Sequence, residues 1–243
     1  MVEEQGRVAP GGQRISWGIG DFVVTFLGGL FLSMVVAFTV LAILGWEPTS
    51  LSDNEQTIVN SVSGTAQFLG FWLLLVLILR RKGGGLLKDL AIFADSEVGP
   101  IFGCFIGGIA LQFGLGILVL PLTAIGEHET QAVVEQLENA SGISLAVLAI
   151  MAGLLAPIFE ELLFRGVLLR SLMRRTGAFG AVLISAVVFG VVHLVDPSTF
   201  AEQPALIGLA TVSGIVAVYG GGMLRSIALH MGFNFVTLLL ILV

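Results

Sequence analysis

Residues 143–169 read ISLAVLAIMAGLLAPIFEELLFRGVLL, an apolar run whose second half carries Glu160, Glu161 and Arg165. A helix needs about 20 predominantly apolar residues to cross a bilayer, and this run is long enough. Placing a charged side chain in such a helix costs about 2.5–3.5 kcal/mol on insertion scales. The stretch therefore reads as a membrane span with a reason to tolerate charge. Glu161 and Arg165 stand four apart with the acid first, the favourable order for a helix pair, so they can neutralise one another. Glu160 points about 100° away and stays available. Pro157 lacks a backbone donor and its ring crowds the Gly153 carbonyl, which loosens the helix one turn before the acids and offers water a way in.

Working outward, comparable runs lie near 17–45, 59–79, 100–125, 178–195, 204–221 and 226–243. The expected fold is an all-α polytopic helix bundle of about seven spans, within a range of six to eight. Backbone groups in lipid need internal partners, and no run alternates as a barrel strand would. The composition agrees: 56% of the 243 residues are hydrophobic and 12% charged, and the mean hydropathy is +1.01. A soluble domain of this size has too little core volume to bury so many runs. The 17–45 run far exceeds a signal-peptide core and no A-x-A site follows it, so it is expected to remain as a span.

Ten of the eleven Lys and Arg residues fall on alternate connections, and the eleventh, Arg165, lies inside a span. Arg7 and Arg14 precede the first span; Arg80, Arg81, Lys82 and Lys88 follow the second; Arg170, Arg174 and Arg175 follow the fourth; Arg225 precedes the last. Residues 46–58, 126–142 and 196–203 contain no Lys or Arg and several acids. Basic connections stay in the cytoplasm, so the N-terminus is expected inside and the C-terminus outside. The expected division is a cytoplasmic tail over 1–16, three membrane helices over 17–125 and a catalytic core over 126–243. A short interfacial helix is expected at 86–93 and an extramembrane helix within 127–141. The net charge of −6 makes nucleic acid an unfavoured partner. The single Cys104, inside an apolar run, excludes an intrachain disulfide and any Cys-rich metal site.

Two of the three histidines also lie in apolar runs. Phe189 and His193 end the fifth span, while His230 and Asn234, four apart, share one face of the seventh. The third, His128, is in the acidic loop. At 1.5 Å per residue Glu160 and Asn234 reach a common level above the basic face. His193 joins them only if the start of its span projects below that face or the helix tilts. A proton-coupled transporter would also place acids and histidines at mid-membrane, but it predicts two repeated halves, whereas these residues crowd the C-terminal half.

Taken in order, Glu160-Glu161-x-x-x-Arg165, Phe189-x-x-x-His193 and His230-x-x-x-Asn234 resemble the three motifs of the CPBP family, the CAAX proteases and bacteriocin-processing enzymes. The resemblance implies an intramembrane endopeptidase. It assigns Glu160 and His193 to water activation and His230 with Asn234 to the oxyanion, leaving Glu161, Arg165 and Phe189 in support. No cofactor is expected. The alternative is Zn²⁺ held by Glu160, His193 and His230 with an open fourth position, since such a ligand set suits the ion; against it, HExxH is absent and Asn234 suits an oxyanion better than zinc. Expected partners are the lipid bilayer and a membrane-associated peptide or protein substrate, prenylated or a leader peptide, entering from the cytoplasmic side. The expected location is a bacterial-type plasma membrane. A noncatalytic scaffold or immunity protein of the same fold is a further reading, disfavoured by the intact motif set.

Overall fold

The computed structural model describes residues 17–83, 90, 92, 96–123, 132–140 and 142–242. The tail at 1–16, most of the 86–93 segment, residues 127–131 and His128 lie outside them. All regular structure among the described residues is helical: α1 (Ile19–Leu44), α2 (Asp53–Lys82), α3 (Val98–Thr123), α4 (Ala132–Asn139), α5 (Gly142–Ile150), α6 (Ala156–Glu161), α7 (Arg170–His193), α8 (Gln203–Tyr219) and α9 (Met223–Leu242). π-helical turns at Met151–Leu155 and Leu162–Leu169 join α5, α6 and α7 into one run, and a 3₁₀ turn, Pro197–Glu202, precedes α8.

Among the described residues, six helical runs are long and apolar enough to cross a membrane, one of them the continuous Gly142–His193. Expected spans four and five are both contained in that run. It folds back at Gly177, whose φ of 72° and ψ of 176° no helix contains. A straight helix would hold residues 25 apart about 37 Å from each other. Here the Phe164 and Phe189 rings lie 5.0 Å apart, and Ser185 Oγ donates to the Phe164 carbonyl at 3.3 Å. Glycine's freedom at positive φ makes the hairpin possible. The chain is thus an integral, multi-pass, all-α membrane protein.

α2 starts at Asp53, earlier than its apolar run, because Ser52 and Glu55 form a capping box, with Glu55 Oε2 accepting from the Ser52 N–H at 2.9 Å and its Oγ at 2.8 Å. The basic residues gather at one end of the bundle. Lys82 pairs with Asp21 at 2.7 Å; Arg174 donates to the Trp17 carbonyl at 2.5 Å and lies over its indole; Arg170 donates to the Leu90 carbonyl at 2.8 Å. A Cβ at Gly166 would stand 3.5 Å from Met223 Cε, so α9 begins at the level of Gly166. The Gly177 tip, eleven residues further on, therefore projects about 16 Å deeper. That projection lifts His193 only to mid-bundle, meeting the condition set by its sequence position.

α3 and α9 touch backbone to backbone. A Cβ at Gly108 would fall 1.9 Å from the Leu229 carbonyl oxygen, and one at Gly232 would fall 2.0 Å from that of Phe105. Small residues permit such an approach in membranes. Gly232 lies between His230 and Asn234, so this contact fixes the helix that carries both.

Candidate active site

Glu160 and Glu161, adjacent in sequence, occupy different environments, as the 100° rotation between neighbours requires. The Glu161 side chain is fully buried and that of Glu160 is 23% exposed. Oε1 of Glu161 lies 3.0 Å from Arg165 Nη1 in an ion pair and accepts from His230 Nδ1 at 3.0 Å. Its Oε2 accepts from the Ser226 hydroxyl, which also lies 3.2 Å from the Ser213 carbonyl. The Arg165 guanidinium stacks on Phe189, 4.8 Å from the ring centroid. Glu161 is thus more than half of an i,i+4 pair: it ties α6 to α9 and sets the orientation of His230.

Glu160 faces both intramembrane histidines. Oε1 lies 4.0 Å from His193 Nε2 and Oε2 lies 3.7 Å from His230 Nε2. Tautomers follow from what stands on the other ring nitrogens. His193 Nδ1 is 2.7 Å from the Phe189 carbonyl, which can only accept, so Nδ1 carries the proton and Nε2 presents a lone pair towards Glu160. His230 Nδ1 likewise donates to a carboxylate, so its Nε2 donates only when the ring is an imidazolium. Phe189 packs 4.4 Å from the His193 ring and 5.9 Å from the His230 ring, fixing both. Gaps of 3.7 and 4.0 Å between polar atoms exceed a direct hydrogen bond and suit a bridging water.

Ligand atoms around a tetrahedral zinc lie ~3.3 Å apart, from bond lengths near 2.0–2.1 Å. The Glu160–histidine separations exceed that, and among the described residues no set of three His, Cys, Asp or Glu is gathered closely enough to hold a metal ion.

Asn234 donates through Nδ2 to the Ala152 carbonyl at 2.9 Å. The acceptor is free for a reason. The Ala156 N–H reaches back five residues to Met151, and Pro157 has no N–H, so neither donor that usually serves Ala152 is present. Asn234 thus supports the π-helical turn ahead of Glu160 and keeps one amide N–H for other use. Sequence reading missed this contact, and also Ser226. Ser226, His230 and Asn234 recur every four residues on one face of α9, a polar stripe that could have signalled it.

Two cavities adjoin the site. One of about 310 Å³ is lined by Phe26, Phe68, Phe71, Phe159, Glu160 and His193. The other, about 320 Å³, is lined in part by Gln112, Ala152, Glu202, Asn234 and Thr237.

Residues 142–236 match the family described as Rce1-like, type II CAAX prenyl endopeptidase Rce1-like. Over 166 residues the chain is 25% identical to "Putative membrane peptidase YdiL" of Bacillus subtilis (strain 168), a match covering 66% of this chain. The chain spans 65% of the length of that relative. No solved structure matches.

Proposed function

Since residues 142–236 match the Rce1-like family model and the chain is similar to a putative membrane peptidase, we propose that it is a CPBP-type intramembrane endopeptidase acting without a metal. The observation that carries the reading is Glu160 facing the Nε2 atoms of two histidines from different helices, at 3.7 and 4.0 Å. A water between Glu160 and His193 gives a proton to Glu160 while its oxygen attacks the peptide carbonyl. His193 Nε2 accepts the second hydrogen bond of that water. The developing oxyanion is met by His230 Nε2–H, with the imidazolium held at Nδ1 by Glu161, and by the second N–H of Asn234. Such donors are worth about 3–4 kcal/mol each in a water-poor site. The C–N bond then breaks as the proton held by Glu160 passes to the leaving amine. Five phenylalanines around the 310 Å³ cavity, Phe26, Phe68, Phe71, Phe159 and Phe164, suit an apolar segment of a membrane-associated peptide.

The test compares membrane peptidomes of cells carrying the wild-type chain or Glu160→Gln. Substrates accumulate uncut only in the variant, whose side chain keeps its size and loses its basicity. Identical peptidomes, with both proteins present at equal level, refute a peptidase.

A further inference from the structure

The two ends of the bundle differ in a way the motifs do not reveal. Below Glu160, towards the basic end, the eight residues of the Leu162–Leu169 turn are all buried. Trp17, Leu75, Leu79, Leu90 and Met223 close around them with at most 2% exposure. This half is a packed plug. Above Glu160 the packing opens. The 320 Å³ cavity reaches from Ala152 and Asn234, beside the catalytic residues, to Val134 and Leu137 of α4 and to Glu202 ahead of α8. α4 follows the upper end of α3, and Glu202 lies between the upper ends of α7 and α8. The other cavity likewise ends on Val195 and Asp196, just beyond α7. Leu163 and Phe164, from the top of that plug, floor the 310 Å³ cavity, and among the described residues no side chain from deeper in the plug lines either one. The connections at the open end carry Glu47, Asp53, Glu55, Glu135, Glu138, Asp196 and Glu202, with no Lys or Arg in 46–58, 126–142 or 196–203.

We propose that the site is entered from the membrane face opposite the basic one, the non-cytoplasmic face by the positive-inside rule, so that its substrates are membrane-associated peptides already exported through or anchored on that side. This reverses the cytoplasmic entrance expected for a prenylated substrate. It rests on the peptidase reading for the word substrate, while the direction of access rests on packing alone. Gln112, Asn234 and Thr237 give the passage donors and acceptors for water and a peptide backbone, which an extended chain inside a membrane protein requires. Among the described residues, the basic end offers the same chain close-packed aliphatic and aromatic side chains, with Arg165 committed to Glu161.

The test uses the full-length chain with Cys104→Ala, so that each introduced thiol is alone. Thr237→Cys places a thiol in the cavity; Arg81→Cys places one on the exposed basic end of α2. A membrane-impermeant maleimide is applied to right-side-out and to inverted vesicles. Thr237→Cys is expected to label in right-side-out vesicles and to lose labelling in inverted ones, with Arg81→Cys reversed. Leu137→Cys, nearer the mouth, repeats the measurement should Thr237→Cys not accumulate. Thr237→Cys labelling from the inverted side, or from neither, overturns the proposal. Labelling needs no turnover, so a chain that labels as expected yet leaves the peptidome of Glu160→Gln unchanged refutes the peptidase and keeps the entrance.

Discussion

Asn234→Ala tests whether the turn ahead of Glu160 depends on a side chain from another helix. The substitution removes the 2.9 Å donor to the Ala152 carbonyl. An unsatisfied buried acceptor costs about 1–3 kcal/mol. Ala152 and Asn234 both line the 320 Å³ cavity, where water can approach the freed carbonyl, so the lower end applies, about 1–1.5 kcal/mol. Pro157→Ala supplies the missing N–H within five residues of Ala152. In that background the cost of Asn234→Ala should fall below about 0.5 kcal/mol, a coupling near 1 kcal/mol of the size seen between residues sharing a network. The assay is reversible denaturant unfolding of the four proteins in mixed micelles. Cleavage is measured in parallel, because restoring the backbone donor does not restore an oxyanion donor. The double variant should thus regain stability while kcat remains low. An unchanged Asn234→Ala cost in the Pro157→Ala background refutes the account of the orphaned carbonyl. Recovery of kcat in the double variant refutes the oxyanion role.

Arg165→Met leaves Glu161 buried with its cation gone and should cost about 3–5 kcal/mol. Adding Glu161→Leu should recover much of that stability without cleavage, since His230 Nδ1 then lacks its carboxylate; unfolding and turnover of the same samples decide. Gly232→Ala drives a methyl against the Phe105 carbonyl and should cost about 1–3 kcal/mol, with kcat falling as α9 shifts. An unaltered kcat would show that the α3–α9 contact does not position His230. Metal analysis of purified active protein should find no stoichiometric zinc, and chelation should leave turnover intact; tightly bound equimolar zinc would overturn the metal-free mechanism.

Hydropathy and the alternation of basic connections were enough to state an all-α membrane bundle, because a bilayer imposes span length and charge asymmetry on the chain directly. Spacing alone also separated Glu160 from Glu161 and paired Glu161 with Arg165, since neighbours on a helix are fixed by its pitch. Both are local properties. What Glu161 does beyond that pair is not local: His230 and Ser226, 69 and 65 residues away, complete its shell. The second acceptor oxygen became assignable only when α9 was packed against α6. Asn234 illustrates the same limit, because its partner is a backbone carbonyl and carbonyls carry no sequence signal.

The charged stretch at 143–169 therefore determined, by itself, that this is a membrane helix with a polar purpose. Tertiary structure decided the rest. A glycine at positive φ folded that helix onto itself, glycine contacts brought α9 to backbone distance of α3, and the packing closed one end of the site while leaving the other open. Helical pitch and transfer free energy act along the chain and can be read residue by residue. Access and side-chain convergence depend on contacts between residues far apart in sequence, which exist only once the helices have met.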